Sequence, residues 1–147
     1  MRLKVKILHP DAIVPAFAHL GDAGADLATV EEIELYPGQA KDIPIGIAVE
    51  PPLGYFFDIR PRSSTLRKRG LYVHPGTIDN GYRGPLFVYV RNDNHEPYYI
   101  EKGARLAQMV LLPCTQPVIE VVGDLDDTDR GAGGFGSTGQ GGSVIRG

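Results

Sequence analysis

Glycine and proline divide this chain into short segments. Of its 147 residues, 19 are Gly and 12 are Pro, and both residue types interrupt helices and the interior of sheets. The segments between them are short alternating or apolar runs at regular spacing. Short strands at such spacing are typical of an all-β sandwich or barrel. The pattern therefore predicts an all-β fold, and the length is enough for one domain with its own core.

The expected elements are short strands and one helix. The strands are predicted at residues 3–7, 33–35, 43–49, 55–59, 71–73, 86–90, 98–100, 104–112 and 118–122, with a loop at 21–27. The helix is predicted within Pro61–Gly70, where basic residues fill the last turn and Gly70 ends it. Ser63 or Ser64 is expected to cap its N-terminus.

Charge, cysteine content and hydropathy exclude several classes of protein. The net charge of −3 argues against a general nucleic-acid coat, so no nucleic-acid partner is expected. Cys114 is the only cysteine, which rules out an intrachain disulfide and fits a reducing cytosol. No apolar run reaches the roughly 18 residues of a membrane span, and the N-terminus has no signal-peptide core. We therefore expect a cytoplasmic protein without a membrane partner.

The composition changes at Gly123, where an acidic stretch and then a Gly-rich stretch begin. Residues 1–122 are predicted to form the β domain, and residues 123–147 a flexible C-terminal arm that belongs to it functionally. An arm that closed over a ligand would stack Phe135 on a ring. It would hold phosphate oxygens with Arg130 and the main chain around Gly136–Ser137. The alternative interpretation is a disordered linker.

The segment Gly76–Gly84 carries the most chemistry. Asn80-Gly81 between apolar runs predicts a hairpin with a type I′ turn, although Pro75 and Pro85 also allow a wider loop. Either form would present the carboxylate of Asp79 on a turn whose glycines let a ligand approach the main chain. A surface turn with a solvated Asp is the competing interpretation.

Arg62-Ser63-Ser64 lies at the predicted helix start, where free N–H groups favour an anion. A simple cap formed by Ser63 is the alternative. The four histidines lack the close spacing of a zinc site. Any metal is therefore expected to be a hard cation that arrives on phosphates, with Mg²⁺ as the first choice.

Five segments together resemble the five motifs of the trimeric deoxyuridine triphosphatases (dUTPases), in the order of that family. They are Ala23–Leu27, Pro61–Ser64, Gly76–Gly84, Arg105–Met109 and Arg130–Gly139. The resemblance implies a jelly-roll-like subunit in a homotrimer whose active sites lie between subunits. It implies hydrolysis of dUTP to dUMP and diphosphate, which keeps uracil out of DNA and supplies dUMP for thymidylate synthesis.

The resemblance also implies roles for individual residues. Asp79 would orient and deprotonate the water that attacks the α-phosphorus, and Asp26 would hold waters of the Mg²⁺ on the phosphates. Phosphate oxygens would be bound by Arg62, Ser63, Ser64 and Gln108, with Arg130, Gly136 and Ser137 closing on the β/γ end. Tyr82 would pack against the deoxyribose and exclude a 2′-hydroxyl, and Phe135 would stack on uracil. Uracil would pair with the main chain of the Val73–Asp79 strand, so that the substrate-binding set also includes Val73, Gly76, Thr77 and Ile78. Phe87 belongs to the same set.

Three positions depart from the family pattern, and two other functions compete. Ser64 replaces a Gly, Val73 replaces an Asn near the base, and Pro85 follows the third motif. A dCTP deaminase shares the fold but needs a Glu at the position of Tyr89, because a phenol cannot shuttle protons near neutral pH. A non-catalytic dUTP-binding regulator would be expected to lack Asp79 or Arg130, and both are present.

Overall fold

The computed structural model describes residues 1–136, and it consists of short strands with one short helix in that range. The strands are β1 (Lys4–Ile7), β2 (Gly24–Ala28), β3 (Ile33–Leu35), β4 (Ala40–Pro44), β5 (Ile47–Glu50), β6 (Tyr55–Pro61), β7 (Leu71–Val73), β8 (Gly76–Ile78), β9 (Phe87–Asn92), β10 (Tyr98–Ile100) and β11 (Arg105–Pro113). The helix is α1 (Ser63–Arg69). The predicted all-β, jelly-roll-like architecture with one helix is confirmed.

The described strands form small antiparallel sheets. The largest has the order β2-β11-β6-β8, and a second has the order β4-β9-β7. Two further pairs, β1 with β5 and β3 with β10, complete the set. Adjacent strands therefore come from distant parts of the chain, and the site segments are brought together by this pairing.

Alternating apolar side chains of these sheets fill one core. In β9, Val88, Val90 and Asn92 are buried while the residues between them are exposed. The largest fully buried side chains include Leu27, Leu35, Ile43, Ile45, Ile47, Leu71, Leu86, Ile100, Leu106 and Met109. Because successive side chains of a strand point to opposite faces, the exposed residues of β9 lie on the outer surface.

The strand predicted at residues 43–49 is wrong in one respect, because the structure divides it at Gly46. Gly46 has a φ of +76°, and a Cβ there would lie 2.7 Å from Cγ1 of Val30. β4 before it pairs with β9, whereas β5 after it pairs with β1. The alternation of apolar and other residues is therefore the same on both sides of Gly46, although the chain passes there from one sheet to another.

The loop predicted at residues 21–27 is also wrong, since β2 occupies Gly24–Ala28 and pairs with β11. Gly and Asp are rare in strands, but here Gly24 has a packing reason. A Cβ at this position would lie 2.9 Å from the Cβ of Gln108, so that only glycine allows the close approach.

The predicted type I′ hairpin is wrong, and the wider loop is what the structure contains. β8 pairs with β6, while β9 pairs with β4 and β7, so the connection from Asp79 to Leu86 joins two sheets. Neither Asn80 nor Gly81 has a positive φ. The turn is closed instead by the N–H of Tyr82, which donates to the carbonyl of Asp79 at 3.1 Å.

The helix prediction is confirmed, but its capping residue was wrong. Gly70 adopts the left-handed conformation with φ 66° and ends α1 as expected. The N-cap is Arg62, without a side-chain capping bond, rather than Ser63 or Ser64. Both serine hydroxyls are therefore left for other partners.

The chain divides into two compact units, Met1–Thr115 and Gln116–Gly147. This division precedes the boundary predicted from composition, and the functional assignment of the arm stays a prediction. The strand predicted at 118–122 is wrong: these residues form no strand, and Val118, Ile119 and Val121 are 96%, 89% and 96% exposed. No helix among residues 1–136 is long and apolar enough to cross a membrane.

Candidate active site

Three of the predicted site residues meet on the outer face of the largest sheet. Gln108 of β11 lies directly opposite Asp26 of β2, so both side chains project from the same face. Arg62, which follows β6, contacts Asp26 through Nε and Oδ1 at 2.9 Å. Gln108 donates from Nε2 to the carbonyl of Pro61 at 3.1 Å. We call Asp26, Arg62, Arg105 and Gln108 the polar cluster.

Arg105 gives the polar cluster an excess of positive charge. Its Nη1 lies 3.6 Å from Oδ2 of Asp26, whose side chain is 17% exposed. Two guanidinium groups therefore share one carboxylate. Such an arrangement has donors left for an anion such as a phosphate.

Ser63 and Ser64 begin α1 beside the polar cluster. Ser63 is exposed and Ser64 is half-buried. Both follow Arg62 directly, and the structure therefore brings these three residues of the second motif next to Asp26 and Gln108.

Asp79 lies at the end of β8, away from this cluster. The residue is exposed, and no hydrogen bond or ion pair engages its carboxylate among residues 1–136. An unpaired carboxylate in contact with solvent is available to accept a proton from water.

Asn80 anchors the loop that carries Asp79, a role that no pattern in the sequence indicates. Its Nδ2 donates to the carbonyls of Pro52 at 3.0 Å and Tyr55 at 2.8 Å. The two partners lie in and after the turn between β5 and β6, which contains none of the five motifs. The amide therefore fixes the loop of Asp79 to a segment that lies far from it in the sequence.

Arg83 strengthens the same loop. Its Nη1 donates to the carbonyls of Asn80 at 2.6 Å and Tyr82 at 3.0 Å, and its Nε lies 3.9 Å from Glu50. The pKa of the Glu50 carboxyl lies below its ordinary value, chiefly because Lys4 donates to it at 3.0 Å and to a smaller extent because of Arg83. Glu50 is thus held as an anion beside the loop.

Tyr82 is fixed by the residues that follow it. Its hydroxyl donates to the carbonyl of Pro85 at 2.9 Å, and the ring is 42% exposed. A Cβ on Gly84 would overlap the phenol oxygen of Tyr82. Pro85, which departs from the family pattern, therefore contributes an acceptor even though it has no N–H.

The segment expected to read the base is not one continuous strand. Val73 ends β7 with its side chain 1% exposed, so that only its main chain can face a ligand. Gly76, Thr77 and Ile78 form β8, which pairs with β6 on one side and is the edge of the described sheet on the other. An edge strand has N–H and C=O groups free for pairing.

Phe87 lies apart from β8 on another sheet. It begins β9 opposite Pro44 and is 45% exposed.

Asp79 and the polar cluster of one chain are too far apart to act on one phosphate chain. Three strand spacings separate β8 from β2, which is about 14 Å. Gln108 is level with Arg60, whereas Thr77 is level with Asp58, so Asp79 is displaced by about four residues, or about 13 Å, along the sheet. The separation is therefore about 19 Å.

The described part of the C-terminal unit contains turns without strands or helices. Arg130 donates from Nε to the carbonyl of Gly133 at 2.5 Å, which folds the main chain around its guanidinium. Phe135 is fully exposed with a φ of 51°, and Gly136 has a φ of 88°. Ser137, which was predicted to bind phosphate, lies outside the described residues.

The carboxylate of Asp26 is the right kind of donor for Mg²⁺, which prefers oxygen ligands and keeps several waters. No group of three or more His, Cys, Asp or Glu side chains among residues 1–136 could hold a metal. A single carboxylate such as that of Asp26 fits a magnesium ion that is bound mainly by substrate phosphates and water.

Comparisons with known proteins agree on one family. A family model described as dUTPase matches residues 11–139. The deoxyuridine 5'-triphosphate nucleotidohydrolase of Clostridioides difficile is 47% identical over 139 residues, which are 93% of this chain and 97% of the relative. The protein of the same name from Nautilia profundicola is 45% identical over 142 residues, 95% of this chain and 100% of the relative.

Two solved phage structures resemble the fold. The dUTPase of Staphylococcus bacteriophage 80alpha with dUpNHpp has a TM-score of 0.88 and 31% identity, covering 92% of this chain and 97% of the phage chain. A mutant dUTPase of phage phi11 of S. aureus, described as revealing the coordination of a structural Mg(II) ion, has a TM-score of 0.83 and 27% identity. It covers 86% of this chain and 100% of the phage chain.

Proposed function

The chain belongs to the dUTPase family and is a dUTP nucleotidohydrolase; on this premise we propose which residues carry out the reaction. Asp79 orients a water molecule, accepts its proton and so directs it in line at the α-phosphorus. The bond between this phosphorus and the bridging oxygen breaks, and diphosphate leaves dUMP. The observation that carries this assignment is the exposed, unpaired carboxylate of Asp79 on a loop pinned by Asn80.

The polar cluster and the first turn of α1 bind the phosphates. Arg62, Ser63, Ser64 and Gln108 supply donors to phosphate oxygens, because phosphoryl transfer depends mainly on positioning and charge neutralisation. Asp26 holds waters of a Mg²⁺ ion, which would neutralise charge on the triphosphate when bound. Arg130, Gly136 and Ser137 close on the β/γ end of the substrate.

Base and sugar are recognised by β8 and its loop. The free main-chain edge of Gly76, Thr77 and Ile78, with the main chain of Val73, reads uracil. Tyr82 packs on the deoxyribose and leaves no room for a 2′-hydroxyl, which excludes UTP by overlap. Phe135 stacks on the ring, and Phe87 contributes to the same site.

The working molecule is a homotrimer with shared active sites. The separation of about 19 Å between Asp79 and Asp26 within one chain supports this proposal. The phosphates of one dUTP are linked by single bridging oxygens and cannot cover such a distance. One subunit therefore supplies Asp79, and a second supplies the polar cluster.

We further propose that the enzyme works in the cytoplasm without nucleic-acid or membrane partners, limiting uracil in DNA and producing dUMP for thymidylate synthesis. The free, exposed Cys114 fits a reducing compartment. Tyr89 stands where the deaminase alternative needs a carboxylate. Its ring meets His74 edge-on at 6.2 Å, and a phenol cannot replace a carboxylate in shuttling protons near neutral pH.

The test replaces Asp79 by Asn and follows turnover of dUTP, dTTP, dCTP and UTP with Mg²⁺ on an anion-exchange column. We expect dUMP and diphosphate from dUTP alone, and a kcat about 100- to 10,000-fold lower in Asp79→Asn with dUTP affinity nearly unchanged. Asp42→Asn, at an exposed site on β4, is the matched control with full activity. Full turnover by Asp79→Asn would refute the assignment.

A further inference from the structure

The start of α1 is joined to a β-bulge in β11 by a buried threonine. Thr65 has no exposed surface, and its hydroxyl donates to the carbonyl of Leu106 at 2.9 Å. The register between β11 and β2 shifts between Arg105 and Ala107, so Leu106 is the additional residue of a bulge. Because such a residue is left unpaired in the ladder, its carbonyl is available to the threonine.

Two arginines attach to the neighbouring carbonyl of the same bulge. Arg62 and Arg69 each donate from Nη1 to the carbonyl of Arg105 at 3.3 Å. Arg62 also reaches Asp26 at 2.9 Å through its Nε. Residues at both ends of α1 thus donate hydrogen bonds to the bulge, and Thr65 makes a buried bond between them. We call these three hydrogen bonds the bulge clamp.

The bulge clamp connects the two elements that carry the phosphate-binding groups. Arg62 and Ser63 stand at the start of α1, whereas Gln108 lies two residues after Leu106 on β11. A shift of the helix along the strand would change the distance between their donor groups. Phosphate groups bound by several donors require these donors in one geometry.

We propose that Thr65 is a positioning residue for phosphate binding, because its hydroxyl holds the start of α1 in register with β11. The proposal rests on the proposed function, which assigns Arg62, Ser63 and Gln108 to the phosphates of dUTP. Thr65 cannot touch the substrate, since it is fully buried. It acts through the residues beside it.

The experiment compares Thr65→Val with Thr65→Ser. Valine has nearly the shape of threonine but donates no hydrogen bond, so the buried carbonyl of Leu106 loses its partner. We expect the KM for dUTP and the inhibition constant of inorganic triphosphate to rise about tenfold, with kcat within about twofold. Thr65→Ser keeps the hydroxyl and is expected to restore both constants to within about threefold.

Thr29→Val is the matched control for loss of a buried threonine hydroxyl. Thr29 is 1% exposed, and among residues 1–136 its hydroxyl bonds only to the main chain of Glu31, at 3.0 and 3.1 Å. A comparable fall in Tm is expected, with both constants unchanged. Equal rises in Thr29→Val and Thr65→Val, or no rise in Thr65→Val, would overturn the proposal.

Three more variants keep the test decisive. If Thr65→Val does not fold, Arg69→Gln removes another bond of the clamp, and exposed Arg67→Gln controls for the lost charge. A rise in the triphosphate inhibition constant only in Arg69→Gln supports the proposal, and equal values overturn it. Arg62→Ala distinguishes failure of the proposed phosphate-binding residues from failure of the bulge clamp. An unchanged triphosphate inhibition constant in Arg62→Ala would refute the phosphate assignment, and the role of the clamp with it. A raised constant there with none in Thr65→Val would refute the clamp alone.

Discussion

Side-chain amides and hydroxyls bonded to main-chain carbonyls hold the site residues in place. Asn80 joins the loop of Asp79 to the turn before β6, and Thr65 joins α1 to β11. Gln108 both holds the structure together, by donating to the carbonyl of Pro61, and belongs to the polar cluster, where it faces Asp26. Each bond connects segments far apart in the sequence, so that the position of a reactive group depends on residues outside its own segment.

Removal of the Asn80 amide is expected to lower turnover more than affinity. In Asn80→Ala the carbonyls of Pro52 and Tyr55 lose their donor, and the loop of Asp79 is held less firmly. We expect kcat for dUTP to fall about tenfold with KM within about twofold, and the free energy of unfolding to fall by about 1–3 kcal/mol. Steady-state kinetics and urea unfolding measure the two effects.

Asn94→Ala is the control for this prediction. Nδ2 of Asn94 also donates to two main-chain carbonyls, those of Arg69 at 2.8 Å and Gly70 at 3.4 Å, at the C-terminal end of α1. Its loss is expected to destabilise the protein without the fall in kcat. An equal fall in kcat for both variants would show that Asn80 affects turnover only through general stability.

The sequence predicted which residues belong to the site better than it predicted their hydrogen-bond partners. Asp26, Arg62 and Gln108 were all predicted as site residues, and they lie together in the structure. Asn-Gly is typical of type I′ turns, so the sequence predicts a tight turn at Asn80 with a wider loop as the alternative, and neither prediction names its partners. Its actual acceptors come 28 and 25 residues earlier, and no local pattern connects them with Asp79.

At the level of elements, hydrophobic alternation predicted most strands but not which sheets they join. A period of two shows which face of a strand is buried, and this period is the same before and after Gly46. The two halves nevertheless pair with β9 and β1. β2 was missed for the opposite reason, because its Gly24 and Asp26 lower strand propensity while its pairing with β11 decides the structure.

The change of sheet depends on glycine at position 46. Gly46→Ala places a side chain at φ +76°, with its Cβ 2.7 Å from Val30 and 2.9 Å from His9. Left-handed strain and overpacking act together, and we expect a loss of about 2–4 kcal/mol in the free energy of unfolding. Urea denaturation followed by circular dichroism measures this loss.

Gly38→Ala separates strain from overpacking. Gly38 has nearly the same φ of +77°, but nothing lies within 4 Å of the Cβ position. We expect a smaller loss of about 1–2 kcal/mol from backbone strain alone. Equal losses at positions 38 and 46 would mean that the contacts with Val30 and His9 contribute nothing to the requirement for glycine.

At the scale of the whole molecule, one folded chain holds two partial sites. Asp79 stands at one edge of the largest sheet, and Asp26 lies on the strand at the opposite edge. A point-group assembly repeats the same contact around its axis. In the proposed trimer, each copy thus contributes the carboxylate of Asp79 to one active site and its polar cluster to another.

A mixture of two inactive variants tests this division. Asp79→Asn retains the polar cluster, and Arg62→Ala retains the carboxylate of Asp79. Unfolded together in equal amounts and refolded, they are expected to recover about one quarter of the wild-type kcat per site, because a site needs one particular variant in each of two positions. Refolding each variant alone controls for residual activity, and the mixture assembled without unfolding controls for subunit exchange. Activity equal to the mean of the separate variants would place both residues of each site in one chain, and the proposed trimer would then not explain their separation.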